Sequence, residues 1–166
     1  PLYLPTPLNP DFHPSKYGKI GSRQGLSELA QLDLHGTSVF PNCLPSISLS
    51  LLSPWPPSVP PSSYSLIVCT NTLHITPSTC TSNLLKGSSS ALVKGGSLIV
   101  YGPFKVDGRY IGADGGEGNA RFDERLRSTN EQWGLRDVKD IEEIANKEGM
   151  TMVGKHEMPA NNLLLH

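Results

Sequence analysis

Short apolar runs alternate with helical spacings along the second half of the chain. Residues 66–69 (Leu-Ile-Val-Cys) form an apolar run, which is typical of a strand buried on both faces. Leucines at helical spacing follow, between a cap signal with proline at residues 76–78 and the pair Gly95 and Gly96. These signals favour a helix that ends at the two glycines. Residues 97–100 form another apolar run and predict a second strand.

The pattern after the second strand predicts further helices and strands. A polar, glycine-rich loop covers residues 107–119, and Asp137 is a cap residue for the last predicted helix. The predicted elements are a helix over 120–128, a helix from 137 to 149, and strands over 151–156 and 163–165. Strands that alternate with helices indicate an α/β domain with a mostly parallel sheet.

The first 63 residues have a different character. They are rich in proline and serine, and five prolines surround Trp55, which blocks a regular helix or a central strand there. Apolar spacing predicts a helix over residues 22–34, and a short apolar alternation favours a strand over 44–52. We therefore divide the chain into a Pro/Ser-rich N-terminal part (1–63) and a C-terminal half (64–166).

Composition narrows the class of protein. The chain has 166 residues, 37% of them hydrophobic, which is enough for one core. Its formal net charge is -1, so it lacks the excess of positive charge that binds nucleic acid or an anionic membrane. Cys43, Cys69 and Cys80 lack the spacing of a zinc site or a disulfide framework. We expect a soluble, cytoplasmic protein with a small-molecule or unknown substrate and no bound metal. The sequence does not predict its oligomeric state.

Motifs spread over residues 64–166 carry a family resemblance. They are Ile67-Val68-Cys69-Thr70-Asn71, Leu73-His74-Ile75, Gly95-Gly96, Tyr101-Gly102-Pro103-Phe104-Lys105, Asp107-Gly108-Arg109, Asn119, Phe122-Asp123, Leu126-Arg127, Trp133-Gly134, Arg136-Asp137 and residues 157–163 (EMPANNL). In this order and at these intervals they resemble methyltransferase-like protein 26 and its bacterial and fungal relatives. The glycine-bearing insert at residues 114–118 is longer than in that family.

The resemblance implies a Rossmann-like class I methyltransferase fold with S-adenosylmethionine as cofactor. In that family pattern the first strand ends in a glycine-rich turn that approaches the cofactor, and an acidic residue after the second strand holds the ribose. Residues 3–6 resemble the second strand, so the first strand and its turn have no counterpart. Pro7 aligns with the ribose-binding acid, and Ser50 with an aspartate near the adenine. The fold is therefore predicted to be incomplete, with cofactor contacts from Thr6, Ser50 and Asn71.

Asn71 and His74 are the candidate catalytic residues. They follow the predicted strand at residues 66–69, at the carboxyl edge where open α/β sheets bind ligands. A histidine can accept a proton near neutral pH, and an asparagine can orient a donor or an acceptor. Two alternatives stay open for His74, which could cap the following helix or pack in the core.

The next predicted strand ends in candidate substrate-binding residues. Tyr101, Gly102, Pro103 and Phe104 follow residues 97–100, where the glycine permits close approach and the rings can wall a pocket. The alternative is a turn whose rings pack over the sheet edge.

Two further motifs carry paired interpretations. Asn161 and Asn162 join the last two predicted strands, where they either contact substrate or hold a tight connection through their own backbone. Trp133 and Gly134 resemble a lid or the entry to a helix, and the alternative is a buried tryptophan before a cap residue.

No other motif for chemistry competes with these residues. The glycines at 112, 115, 116 and 118 lack the order of a phosphate-binding loop, and the sequence contains no H-E-x-x-H, G-x-S-x-G or C-x-x-C. Two functions stay open. One is an S-adenosylmethionine-dependent methyltransferase-like protein of unknown substrate, whose missing cofactor contacts predict weak binding or inactivity. The other is a non-catalytic, truncated methyltransferase fold that acts as an interaction module or is an unproductive fragment. A hydrolase or oxidoreductase on the same scaffold has no residues to support it.

Overall fold

A computed structural model describes residues 2–5, 17–21 and 47–166 of the chain. The strands are β1 (Leu2–Pro5), β2 (Tyr17–Gly21), β3 (Ile47–Ser48), β4 (Tyr64–Thr70), β5 (Leu92–Gly102), β6 (Phe104–Val106), β7 (Arg109–Tyr110), β8 (Arg136–Asp137), β9 (Lys155–Met158) and β10 (Asn162–Leu165). The helices are α1 (Thr79–Ala91), α2 (Glu117–Thr129) and α3 (Val138–Lys147), and a 3₁₀ turn covers Leu73–Ile75. The predicted α/β class is therefore confirmed.

A seven-stranded sheet in the order β3-β2-β1-β4-β5-β10-β9 forms the centre of the described structure. β4 and β5 are parallel and are joined through α1, whereas β10 runs antiparallel to both β5 and β9. The sheet is mixed and not mostly parallel as predicted. The short turn between β9 and β10 explains part of the difference, because only antiparallel strands can be joined without a long crossover.

β1 occupies the position beside β4, and it runs antiparallel to β4 through the pairs Leu2 with Cys69 and Tyr3 with Val68. No glycine occurs between Pro5, the last residue of β1, and Gly18. The described strand next to β4 is thus not a parallel strand that leads into a glycine-rich turn. This agrees with the prediction that this part of the fold is incomplete.

The core lies between one face of the sheet and two helices. Ile67 and Cys69 of β4 and Leu163 of β10 are at most 1% exposed, because alternate side chains of a strand share one face. Leu84 of α1 and Ile141 of α3 belong to the same cluster. α3 shows a strongly amphipathic pattern, so its apolar side closes the cluster.

The proline-rich stretch before β4 packs onto α1. The indole of Trp55 lies directly over Gly87, where a Cβ atom would approach the ring to 2.3 Å. Ser62 and Ser63 donate backbone hydrogen bonds to carbonyls at the end of α1, at 2.9 and 2.8 Å. Gly87 is therefore required for close packing at this point, since any side chain would displace the tryptophan.

Several predicted boundaries need correction. α1 ends at Ala91 and the chain enters β5 at Leu92, so the helix does not reach the glycines at 95 and 96. Pairing of Leu92 with Tyr64 competes with continuation of the helix, as tertiary contacts often do. The strand predicted over 151–156 begins only at Lys155.

Other boundaries agree closely with the prediction. β4 contains the run at residues 66–69, and α2 contains the helix predicted over 120–128. Asp137 caps α3, where its carboxylate accepts a 2.9 Å hydrogen bond from the Lys139 amide. The helix predicted over 22–34 lies outside the described residues. Of the strand predicted over 44–52, only Ile47–Ser48 is a strand, and residues 44–46 also lie outside them.

The hairpin of β6 and β7 was not predicted. Its turn and β7 lie inside residues 107–119, which were predicted to be a loop, whereas β6 lies just before them. Asp107 and Gly108 form the turn, with φ of 51° and 75°. Successive positive φ angles at Asp-Gly are the signature of a two-residue hairpin turn, so a local signal was present. With β8 this hairpin forms a three-stranded sheet beside the carboxyl end of β5. Among the helices in the described ranges, none is long and apolar enough to cross a membrane.

Candidate functional site

Asn71 lies at the carboxyl end of β4, as predicted. Its side chain is exposed, and its backbone has a positive φ of 49°, which asparagine tolerates better than most residues. The backbone amide of Asn71 donates a 2.8 Å hydrogen bond to the carbonyl of Tyr101 at the end of β5. The ends of the two parallel strands are therefore tied together at this residue.

His74 lies in the 3₁₀ turn that follows and is only 8% exposed. It does not cap α1, because Ser78 occupies the N-cap position. The Phe122 ring of α2 meets the imidazole edge-on, with centroids 5.5 Å apart. Burial, followed by the positive charge of Arg136, lowers the pKa of His74 to about 4. The imidazole is therefore neutral at pH 7 and can accept a proton.

Gly102 leaves a small space between the two candidate catalytic residues. A Cβ atom at Gly102 would lie 3.6 Å from Nδ1 of His74 and 3.7 Å from Oδ1 of Asn71, which is ordinary van der Waals contact. The His74 and Asn71 side chains therefore both face the bare backbone of Gly102. The structure brings these three predicted residues together.

The other candidate residues at the end of β5 do not share one environment. Phe104 is 2% exposed and belongs to the core, and Pro103 is also buried. Tyr101 pairs with Leu164 whereas Gly102 pairs with Leu163, so the Tyr101 ring lies on the sheet face opposite to the core. The buried position of Phe104 agrees with the interpretation of a ring that packs over the sheet edge. The substrate contacts predicted for these residues stay a prediction.

Asn161 and Asn162 lie at the same edge of the sheet. Asn161 is in the turn between β9 and β10, and Asn162 is the first residue of β10. Asn162 donates from Nδ2 to the Pro159 carbonyl of its own turn and to the Tyr101 hydroxyl, at 3.1 Å in each case. The carbonyl of Asn161 accepts a 3.0 Å hydrogen bond from Asn119, which is buried in α2. These contacts supply the structural role proposed for the pair, and a contact with substrate stays a prediction.

The glycine-rich loop before α2 does not form an anion site. The carboxylate of Asp114 accepts hydrogen bonds from the amides of Gly116 and Gly118, at 3.1 and 2.7 Å. A side chain of this protein therefore already neutralises the positive end of the helix. Gly116 approaches the Tyr110 backbone so closely that a Cβ atom would lie 2.3 Å from the carbonyl oxygen, which accounts for glycine there.

Ser50 and Thr6 were predicted to contact the cofactor. Ser50 is exposed, two residues after β3, and its Oγ accepts a 3.2 Å hydrogen bond from the Leu52 amide. β3 is parallel to β2, and both β2 and β4 are antiparallel to β1, so β3 and β4 point the same way. Ser50 and Asn71 therefore lie at one edge, with two strands between β3 and β4. Thr6 lies outside the described residues, and Pro5 before it lies at the opposite edge.

Asp123 is a buried site residue that the sequence did not single out for function. Only 1% exposed, it follows Phe122 in α2 and accepts a 2.6 Å hydrogen bond from the Leu135 amide. The amide of Gly134 donates a 3.0 Å hydrogen bond to the His74 carbonyl. The segment that was predicted to be a lid or a helix entry is thus bound to the turn that carries His74.

A separate groove of about 990 Å³ lies between the start of α1 and the small sheet, and it does not include Asn71, His74 or Gly102. Basic and acidic side chains line it in equal numbers, so its lining carries no net charge. In the part of the chain that the structure describes, no three histidine, cysteine or acidic side chains come together to hold a metal ion.

Comparison with known families and structures agrees with this architecture. A family model described as "Protein of unknown function (DUF938)" matches residues 22–166. The chain belongs to the DUF938 family. This family assignment covers most of the chain, including all of the residues placed at the carboxyl edge of β4 and β5.

Solved methyltransferase structures share the fold of this DUF938 protein. An O-methyltransferase family protein from Burkholderia thailandensis aligns with a TM-score of 0.68 at 14% identity over 89% of this chain and 42% of that chain. The O-methyltransferase NcsB1 from neocarzinostatin biosynthesis, in complex with S-adenosylmethionine and 2-hydroxy-5-methyl naphthoic acid, aligns with 0.62 at 15% identity, over 89% and 39%.

A third structure, an O-methyltransferase family 2 protein from Planctomyces limnophilus in complex with apigenin, aligns with a TM-score of 0.63 at 17% identity, over 89% of this chain and 41% of that chain. The DUF938 protein therefore spans about two fifths of the length of these structures. It has the Rossmann-like fold of class I methyltransferases.

Proposed function

We propose that the protein is an S-adenosylmethionine-dependent methyltransferase related to methyltransferase-like protein 26, with its reaction centre beside Gly102. The observation that carries the proposal is the space at Gly102, within van der Waals distance of both His74 Nδ1 and Asn71 Oδ1. A histidine nitrogen and an amide oxygen that face the same stretch of bare backbone, at the carboxyl edge of parallel strands, suit a reaction in which a methyl group passes between two bound molecules.

His74 would act as the general base. Its imidazole is neutral at pH 7 because burial lowers its pKa to about 4, so it can accept the proton of a hydroxyl or amine nucleophile. The Oδ1 atom of Asn71, 3.7 Å from the same Cβ position, would accept a hydrogen bond from the remaining N–H of an amine nucleophile and orient it. Both contacts position the acceptor, which is the main contribution a protein makes to a displacement reaction.

The cofactor would lie along the edge from Ser50 to Asn71. S-adenosylmethionine supplies an electrophilic methyl group when it is bound. β3 and β4 are three strand positions apart, which corresponds to roughly 14 Å at the usual strand spacing, a length that suits an extended nucleoside with its side chain. Ser50 offers a hydroxyl where a carboxylate is expected. Each charged hydrogen bond lost costs about 1.5–3 kcal/mol, or roughly 10- to 150-fold in Kd.

Titration calorimetry with S-adenosylhomocysteine tests the proposal. We expect saturable but weak binding, and Ser50→Asp should tighten it by about tenfold because a carboxylate is restored. Ser53→Asp adds the same charge to a neighbouring exposed residue and is the matched control. A flat titration of both the unaltered chain and Ser50→Asp, each with a cooperative thermal transition, would contradict the proposal.

Filling the space beside Gly102 provides an independent prediction. The methyl group of Gly102→Ala would occupy it, at 3.6 Å from His74 Nδ1, and we expect affinity for S-adenosylmethionine, which carries the methyl group to be transferred, to fall by roughly tenfold or more. Both positions have a positive φ, +159° at Gly102 and +79° at Gly95, so both substitutions strain the backbone. Gly95→Ala is the control, because it lies in the same strand and its Cβ atom would meet nothing within 4 Å. Equal affinities of the two variants would show that the space is not part of the binding site.

A non-catalytic role is the second candidate. It is favoured by the antiparallel β1 beside β4 and by the lack of glycine from Pro5 to Tyr17, because backbone that can approach an adenosyl group is then not supplied by that strand. A folded chain that binds no S-adenosylhomocysteine is the result expected for this role.

A further inference from the structure

We propose that Asp123 is a positioning residue for His74: its carboxylate fixes the 130–136 loop, and the loop in turn fixes the backbone of His74 so that the imidazole faces Gly102. The catalytic meaning of this inference rests on the proposed function, whereas the coupling between Asp123 and His74 does not.

The carboxylate of Asp123 is buried and binds four groups. Oδ2 accepts hydrogen bonds from the Tyr110 hydroxyl at 2.7 Å and Arg127 Nε at 3.1 Å, and Lys105 Nζ lies 3.3 Å away. Oδ1 accepts from the Leu135 amide at 2.6 Å. Burial raises the pKa of Asp123, but these bonds and charges outweigh burial and lower it. The group therefore stays ionised and holds its partners strongly.

Two adjacent amides of the 130–136 loop connect Asp123 to His74. The Leu135 amide binds Asp123, and the amide before it, that of Gly134, donates a 3.0 Å hydrogen bond to the carbonyl oxygen of His74. The two amides lie on either side of the Gly134 Cα atom, so only the φ and ψ rotations of that residue separate them. Movement at Leu135 therefore displaces the donor of the second bond. The position of the His74 backbone thus depends on the Asp123 carboxylate.

Gly134 is required for this close approach. Its φ is +141°, and a Cβ atom would lie 2.6 Å from Arg127 Nη2 and 2.7 Å from Asp123 Oδ1. Any side chain at this position would push the loop away from Asp123. Arg136 adds a second attachment, because it binds the carbonyls of Gly134 and Thr76, the latter two residues after His74.

α2 contacts His74 from two directions. Phe122 meets the imidazole edge-on, with ring centroids 5.5 Å apart, and Asp123 acts on its backbone through the loop. Two consecutive residues of one helix thus hold both the ring and the main chain of His74. A carboxylate that only stabilised the fold would not need to be linked to the histidine in this way.

The test follows the pKa of His74 by NMR titration of the full chain, with its ring signals assigned from the loss of peaks in His74→Gln. Burial lowers this pKa to about 4, so any loosening that admits water should raise it toward 6.5. We expect a rise of about one unit or more in Asp123→Ala. Asp123→Asn retains an acceptor for the Leu135 amide and should give a smaller rise.

Asn119→Ala is the matched control. Asn119 is a buried polar residue of the same helix, 4% exposed, and donates two 3.0 Å hydrogen bonds to Ile111 and Asn161, so its loss should destabilise the protein without moving the pKa of His74. Gly134→Ala keeps the Asp123 carboxylate in the chain but pushes the loop away from it, and it should raise that pKa as Asp123→Ala does. It serves as the second test if Asp123→Ala fails to fold.

An unchanged pKa of His74 in folded Asp123→Ala or Gly134→Ala would overturn the proposal, and so would an equal rise in Asn119→Ala. The titration needs no cofactor. A chain that binds no S-adenosylhomocysteine but shows the expected shifts would contradict the proposed function and leave the coupling supported.

Discussion

Acidification from pH 7 to pH 4 is expected to lower the free energy of unfolding by about 3 kcal/mol through His74 alone. The pKa of His74 is about 4 in the folded chain because the ring is buried, against a usual value of 6.5. Above pH 6.5 the imidazole is neutral in both states and contributes nothing. Between pH 6.5 and 4 the unfolded chain binds a proton that the folded chain does not, so stability falls with pH.

Denaturant unfolding of the unaltered chain and of His74→Gln at several pH values measures this contribution. The variant cannot titrate at this position, so the difference in unfolding free energy between the two proteins should change by about 3 kcal/mol across the window. His156→Gln, at an exposed position in β9, is the control and should follow the unaltered chain. A pH-independent difference between the unaltered chain and His74→Gln would show that the ring is not held in a buried, neutral state.

The neutral state of His74 also determines how it could act as a general base. A base with a pKa far below the working pH is always ready to accept a proton but holds it weakly. The nucleophile would therefore lose its proton mainly as the methyl group is transferred, and Asn71 would contribute by orientation. This makes the position of His74, and hence the anchoring by Asp123, more important than its basicity.

Local signals predicted the elements that depend on local sequence. The apolar run at residues 66–69 became β4, and Asp137 caps α3 as expected. The predicted end of α1 was wrong because Leu92 pairs with Tyr64. This contact between distant residues ends the helix before it reaches the glycines at 95 and 96. The prediction of a mostly parallel sheet was wrong in the same way. β1 runs antiparallel to β4, and strand direction depends on pairing and not on the composition of the strand.

The candidate site, like the fold, could be predicted from the sequence only in part. That Asn71 and His74 meet the end of β5 followed from the rule that parallel strands end at one edge, and the structure brings them to Gly102. The role of Asp123 could not be read in this way. Its partners Lys105, Tyr110 and Leu135 come from different elements, and only the folded chain places four donors around one carboxylate.

The two interpretations of Phe104, a ring in the wall of a substrate pocket and a ring packed over the sheet edge, predict different stabilities for Phe104→Ala. If its ring packs in the core, as its 2% exposure indicates, Phe104→Ala should lower the free energy of unfolding by about 3–5 kcal/mol, because a large cavity is left between β6 and α3. That is a large part of the roughly 5–15 kcal/mol that stabilises a domain.

Denaturant unfolding of Phe104→Ala decides between the two interpretations, with Val153→Ala as the control. Val153 is 70% exposed, so its truncation should change stability by no more than about 0.5 kcal/mol. If Phe104→Ala loses less than about 1 kcal/mol in free energy of unfolding and binds S-adenosylhomocysteine more weakly, the ring lines a pocket instead. A large loss of stability instead means that the end of β5 is built on a fixed aromatic anchor. Gly102, two residues before that anchor, is then held in place for His74 and Asn71 by the core itself.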